Sequence, residues 1–131
     1  PPQTSTIASH LPKAVGTAYS VGMAKRIKPE HQALADDAIV LCGFGDASLN
    51  HASSQAAFNT TCWNAFQGIP LPLVFICEDN GIGISVKTPV GWVEATMSNR
   101  PGLEYFKCNG LEFIDAYFIF NNAAATVSCT G

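Results

Sequence analysis

Two short polar clusters in an otherwise apolar chain carry residue types that hold a hard cation and an anion. The first is Gly45-Asp46-Ala47-Ser48 and the second is Glu78-Asp79-Asn80-Gly81-Ile82-Gly83. Asp46 offers a carboxylate and Asn80 an amide oxygen. Mg²⁺ takes six oxygens in octahedral geometry, usually only one or two of them from side chains, and completes its shell with ligand phosphates, water and an occasional backbone carbonyl. Ile82 lies between two glycines that let the backbone bend inward, so its carbonyl is the candidate third protein ligand. Magnesium with a diphosphate suits this donor set. Taken singly the residues mean less: Asp46 before a helix is an ordinary capping aspartate, and Asp79-Asn80-Gly81 is an ordinary turn in which Asn-Gly tolerates positive φ. The pairing of Asp46 with Asn80 makes the metal reading.

Strands must deliver both clusters to one edge. The apolar runs Ala38-Ile39-Val40-Leu41-Cys42 and Leu73-Val74-Phe75-Ile76-Cys77 each precede one cluster and have the form of strands covered on both faces. Between them a helix is predicted from about His51 to Gln67, with Ser48 or Asn50 as N-cap and Gly68 as stop. Strand, helix, strand implies a right-handed crossover joining parallel strands. Neighbouring strands about 4.8 Å apart then bring Asp46 and Asn80 together at the carboxyl edge, where open parallel sheets bind ligands. The helix N-terminus after the first cluster can face an anion. Upstream, Pro12 to Ile27 reads as a helix favoured at its C-terminal end by Lys25, Arg26 and Lys28 and stopped by Pro29. Gly16 and Gly22 each weaken it by about 1 kcal/mol, which makes sense if another backbone packs closely there. His10 is read as capping or orienting this helix. Thr88 to Gly102 reads as a surface loop, Leu111 to Ala125 as an apolar helix, and the uncharged stretch from Asn121 has no clear pattern.

Composition bounds what such a site can serve. The 131 residues are 47% hydrophobic and 13% charged, with net charge −3. This excludes disorder and fits one core, hence one domain. So few charges leave apolar surface in need of cover, so an oligomer or partner is expected, with the aromatic residues Tyr117, Phe118 and Phe120 as core or subunit interface. No basic stripe supports nucleic-acid binding. No membrane span or signal peptide is visible. The five cysteines, Cys42, Cys62, Cys77, Cys108 and Cys129, are odd in number and widely spaced, which fits reduced thiols in a reducing compartment.

Gly45-Asp46-Ala47, followed 33 residues after Ala47 by Asn80, resembles the thiamine-diphosphate fingerprint, a Gly-Asp-Gly opening and an Asn-Asn close around magnesium diphosphate. Ser9-His10-Leu11-Pro12-Lys13-Ala14-Val15-Gly16-Thr17-Ala18-Tyr19 and Phe75-Ile76-Cys77-Glu78-Asp79-Asn80-Gly81-Ile82-Gly83-Ile84-Ser85 look like the equivalent stretches of the alpha part of 2-oxoacid dehydrogenase E1 components. The resemblance spans about Thr4 to Gly110. It looks closest to bacterial forms with alpha and beta regions in one chain, judged by Gly45 to Ser48, Gly68-Ile69-Pro70-Leu71-Pro72 and Thr88-Pro89-Val90-Gly91-Trp92-Val93-Glu94.

The resemblance implies an α/β, three-layer thiamine-diphosphate-binding fold with a parallel sheet flanked by helices. Residues 1–131 would form a single, partial domain of it. Thiamine diphosphate and Mg are the implied cofactors. Asp46, Asn80 and Ile82 would ligate the metal, Gly45, Ala47 and Ser48 would line the diphosphate, and Ser5 and Ile7 would give backbone contacts to the aminopyrimidine. No catalytic residue can be assigned, because the glutamate that sets the cofactor's tautomer comes from the beta region and the histidine loop lies outside the matched stretch. The implied function is decarboxylation of a small 2-oxoacid with acyl transfer to a lipoyl-bearing E2, requiring an E1 beta-type region or subunit. The location would be the cytoplasm in a bacterium or the mitochondrial matrix in a eukaryote. A catalytically silent copy serving assembly, or a transketolase-like enzyme, are the alternatives. Ala47 departs from the family's third glycine, and Glu78 stands where many relatives place a diphosphate-binding Arg. A carboxylate there repels a diphosphate unless it points away.

Overall fold

The structure, a computed structural model, describes residues 6–27, 34–35 and 37–129, excluding the side chain of Cys129. Ser5, named above as a cofactor contact, and the helix stop at Pro29 lie outside the described residues. In chain order the elements are α1 (His10–Ile27), β1 (Val40–Gly45), a 3₁₀ turn (Asp46–Asn50), α2 (Ala52–Phe66), β2 (Leu73–Glu78), α3 (Trp92–Met97) and α4 (Phe113–Cys129). The chain is α/β. The two strands among the described residues pair in parallel, from Val40 opposite Leu73 to Gly45 opposite Glu78, joined by α2 as the spacing requires.

Leu11, Val15, Ala18, Val21 and Gly22 recur at helical spacing and form the buried stripe of α1. Leu11, Val15 and Ala18, with Cys42 and Phe44 of β1, Leu49, and Ala57 and Phe58 of α2, make up most of the core. Phe58 sits edge-on to Phe75 at 5.0 Å between ring centroids and tilted against Phe44 at 5.6 Å. Such pairs add about 0.5 to 1.5 kcal/mol beyond the area they bury. Gly22 meets the backbone, as its presence in a helix suggests: a Cβ there would lie 2.3 Å from the carbonyl oxygen of Pro70. Gly16 does not, because a Cβ there meets nothing within 4 Å.

Two further sequence expectations change. First, β1 is covered on one face only: Cys42 and Phe44 are buried, whereas Leu41 is 59% exposed. A continuous apolar run does not show how many layers a sheet receives, and here α1 and α2 pack on one side while α4 meets β2. Second, the segment read as a loop over 88–102 contains α3, whose Val93 and Met97 are buried. Of the two alternatives for the aromatic run, core or subunit interface, core is the one the exposures remove. Tyr117 and Phe118 are 56% and 61% exposed, and Phe113, stacked on Tyr117, is 80% exposed. The face of α4 that carries Phe113, Tyr117 and Phe118 therefore points outward, while Ile119, Ala123 and Val127 are half-buried on its side toward β2.

Candidate functional site

The parallel register ends with Gly45 beside Glu78, so both polar clusters leave the sheet at the same edge. Asp46 opens the 3₁₀ turn and is 1% exposed. Its Oδ2 accepts a hydrogen bond of 2.9 Å from the backbone N–H of Gly81. Its Oδ1 is buried and has no hydrogen-bond partner among the described residues. An unsatisfied buried polar atom costs about 1 to 3 kcal/mol, more when charged, so this oxygen is placed at a cost that a cation would offset.

The second cluster folds into a small hairpin. Ile82 bridges Lys87 in antiparallel fashion, the Gly83 N–H donates to the Val86 carbonyl at 2.9 Å, and Gly81 holds φ +71°, which glycine adopts without strain. Asn80 Oδ1 accepts from the Ile82 N–H at 2.9 Å, leaving that oxygen one further lone pair. The Gly81 bond thus ties the hairpin that carries Asn80 and Ile82 to the buried carboxylate. Among the described residues no three His, Cys, Asp or Glu side chains form a metal cluster. A cation at Asp46 would therefore draw on amide, carbonyl and ligand oxygens, the donor set that suits Mg²⁺.

Around this pair the first cluster is open at one point and packed at another. A Cβ on Gly45 would meet nothing within 4 Å, whereas Ala47 packs closely against Gly83. Ser48 is buried, and its carbonyl accepts from the Ser54 hydroxyl at 2.7 Å and the His51 N–H at 3.1 Å. The expected N-cap is corrected. Neither Ser48 nor Asn50 caps α2, because the 3₁₀ turn carries the chain past them and puts His51 at the cap position, where its Nδ1 accepts from the Ser53 N–H. Asn50 instead accepts from the indole N–H of Trp92 at 2.9 Å, anchoring α3. The same turn separates Asp46 from the α2 N-terminus that was expected to face the anion. His10 Nε2 lies 2.8 Å from the Gly43 carbonyl, which only accepts, so the ring donates there and orients α1 on β1. Ile7 lies just before α1 and is exposed.

Carboxylates gather at this edge. Burial pushes the Cys77 thiol up to about 12, helped by the charges of Asp79, Asp46 and Glu78. Burial also raises Cys42, and raises Cys62 against the lowering influence of Arg100. Cys42, Cys62, Cys77 and Cys108 are free thiols, as their spacing suggested. Glu78 is exposed, so solvent screens its charge. The tie from Gly81 to Asp46 escaped sequence reasoning, since a backbone donor leaves no mark in residue type, although the Asn-Gly pair marked the turn.

No family model matches the chain. Among curated proteins it is similar to the mitochondrial 2-oxoisovalerate dehydrogenase subunit alpha 2 of Arabidopsis thaliana, 35% identical over 85 residues that make up 65% of this chain and 15% of that subunit. The mitochondrial alpha subunits of Mus musculus and Homo sapiens are 32% and 31% identical over 85 residues, covering 65% of this chain and 16% of each. The matched stretch thus spans about a sixth of the length of these relatives. The resemblance to the alpha region of 2-oxoacid dehydrogenases holds.

Proposed function

We propose, from this kinship with 2-oxoacid dehydrogenase alpha subunits, that the chain is the diphosphate-binding part of an E1 component that oxidatively decarboxylates a 2-oxoacid and passes the acyl group to a lipoyl-bearing E2. The observation that carries the site is the buried, unpartnered Oδ1 of Asp46 beside the Asn80–Gly83 hairpin. In this reading Asp46, Asn80 and the Ile82 carbonyl hold Mg²⁺, while Gly45, Ala47 and Ser48 line the diphosphate. When bound, thiamine diphosphate supplies the carbanion that attacks the substrate carbonyl and the electron sink for decarboxylation. The residues of this chain bind and orient. Asp46 would offer charge to the metal, Gly45 leaves space, and His10 keeps α1 seated on the strand that leads into Asp46.

The reading extends to the three-layer thiamine-diphosphate fold, of which β1, β2 and the helices α1 and α2 would form one part. Ile7 and Ser5 would approach the aminopyrimidine. An E1 beta-type region would complete the site with the carboxylate that sets the cofactor's tautomer. The names of the relatives place them in mitochondria, and for this chain the compartment would be the mitochondrial matrix or the cytoplasm of a bacterium.

Calorimetry with the full chain tests this reading. Thiamine diphosphate and Mg²⁺ should bind together, and neither EDTA-treated protein nor Asp46→Ala should bind the cofactor tightly. Tight binding in EDTA, or unchanged binding in both Asp46→Ala and Asn80→Ala, would remove the metal bridge.

A further inference from the structure

The hairpin that carries Asn80 and Ile82 touches the first cluster at two points. One is the Gly81 N–H bond to Asp46 Oδ2. The other is a close approach: a Cβ built on Gly83 would lie 2.9 Å from the Cβ of Ala47 and 2.6 Å from the carbonyl oxygen of Val86. Real side chains do not approach so closely, and neither neighbour is the movable end of a flexible chain. The Val86 oxygen is fixed by its 2.9 Å bond from the Gly83 N–H, and Ala47 follows Asp46 in the same 3₁₀ turn. We infer that Gly83 is a positioning residue, and that its missing side chain lets the hairpin close on Ala47 to the depth at which the Gly81 N–H reaches Asp46.

Ala47 and Gly83 are complementary in this account. With a methyl at 47, the opposing position has room for a hydrogen only. Any side chain at 83 must push the hairpin outward, lengthening the Gly81 bond and carrying Asn80 and Ile82 away from the buried carboxylate. Substitution of Ala47 by glycine removes one of the two obstructions and leaves the Val86 oxygen, so it relieves part of the strain.

The consequence for metal binding rests on the cofactor reading above; the geometric claim does not, and the experiment separates them. Amide hydrogen exchange is measured at Gly81 in the cofactor-free full chain, and Mg²⁺ with thiamine diphosphate is titrated by calorimetry, for the natural sequence, Gly83→Ala, the double variant Gly83→Ala with Ala47→Gly, and Gly16→Ala as a control in open space. Gly83→Ala should speed exchange at Gly81, leave the Phe58 amide protected, and weaken Mg²⁺-dependent cofactor binding about 10- to 100-fold, the range for lost support of a metal ligand. The double variant should recover part of both. Unchanged exchange at Gly81 in Gly83→Ala overturns the inference. Faster exchange with no cofactor binding by the natural sequence upholds the positioning role and sinks the cofactor reading. Faster exchange with unchanged cofactor affinity overturns the link to the site. If Phe58 also loses protection in Gly83→Ala, the double variant decides: partial return of protection at Gly81 supports the inference, and none refutes it.

Discussion

Asp46→Asn should leave the cofactor-free chain about as stable as the natural one or more so, and leave it the less stable of the two once cofactor is present. In the free chain one carboxylate oxygen is bonded to Gly81 and the other is buried without a partner among the described residues, a penalty of about 1 to 3 kcal/mol that grows with charge. Asparagine keeps an oxygen for the Gly81 N–H. It leaves an NH₂ in place of Oδ1, also unpartnered, but removes a buried charge that shares the sheet edge with Asp79 and Glu78. The two penalties are of the same kind and the neutral one is smaller, so in EDTA the variant should melt within about 1 kcal/mol of the natural chain or above it. With Mg²⁺ and thiamine diphosphate at 100 times their dissociation constant, the natural chain gains about 2.7 kcal/mol. For a chain of this size that is roughly 10 °C in Tm. The variant should gain almost nothing. Thermal melts by circular dichroism, with and without cofactor, read both arms. A loss of more than about 2 kcal/mol in EDTA would mean that the carboxylate makes a structural contact beyond Gly81, and an equal cofactor-induced rise in both proteins would refute Asp46 as the metal's anchor.

Other consequences are independent of that site or lie beside it. Gly22→Ala should destabilise by about 1 to 3 kcal/mol against the Pro70 carbonyl, while Gly16→Ala should stabilise by up to about 1 kcal/mol, both measured by urea unfolding. The Cys77 thiol, with its folded value near 12 against 9.0 when free, binds its proton more tightly when folded; stability should therefore fall as pH rises from about 9 toward 12, and Cys77→Ala should flatten that slope. The purified chain alone should not decarboxylate 2-oxoacids and should gain activity only with a beta-type region; turnover by the chain alone would place the missing acid function here, with Glu78 or Glu94 as candidates. Sedimentation at micromolar concentration should show association that Tyr117→Lys with Phe118→Lys abolishes, since both side chains are exposed on α4; a clean monomer of the natural chain would refute an associating face there.

The amino-acid sequence by itself determined the elements that position the site. Pro12, in the first turn of a helix that begins at His10, and the Lys25-Arg26 end mark α1, the runs around Leu41 and Val74 form strands, and the strand-helix-strand order favours a parallel pairing, so Asp46 and Asn80 emerge at one edge. These are consequences of periodicity, length and handedness, which are local or nearly so. Residue type also disclosed the hard oxygen donors. Tertiary structure alone decided the rest. Whether an apolar run is covered on one face or two depends on which helices cross it, so Leu41 and the outward aromatics of α4 could not be read from hydrophobicity. The cap of α2 fell to His51 because a 3₁₀ turn shifted the frame past Ser48 and Asn50, a change of a few backbone angles that composition does not encode. The anchoring of Asp46 by the Gly81 N–H, and the fit of Gly83 against Ala47, arise from backbone atoms that every sequence possesses. Only their distances in three dimensions give them a role.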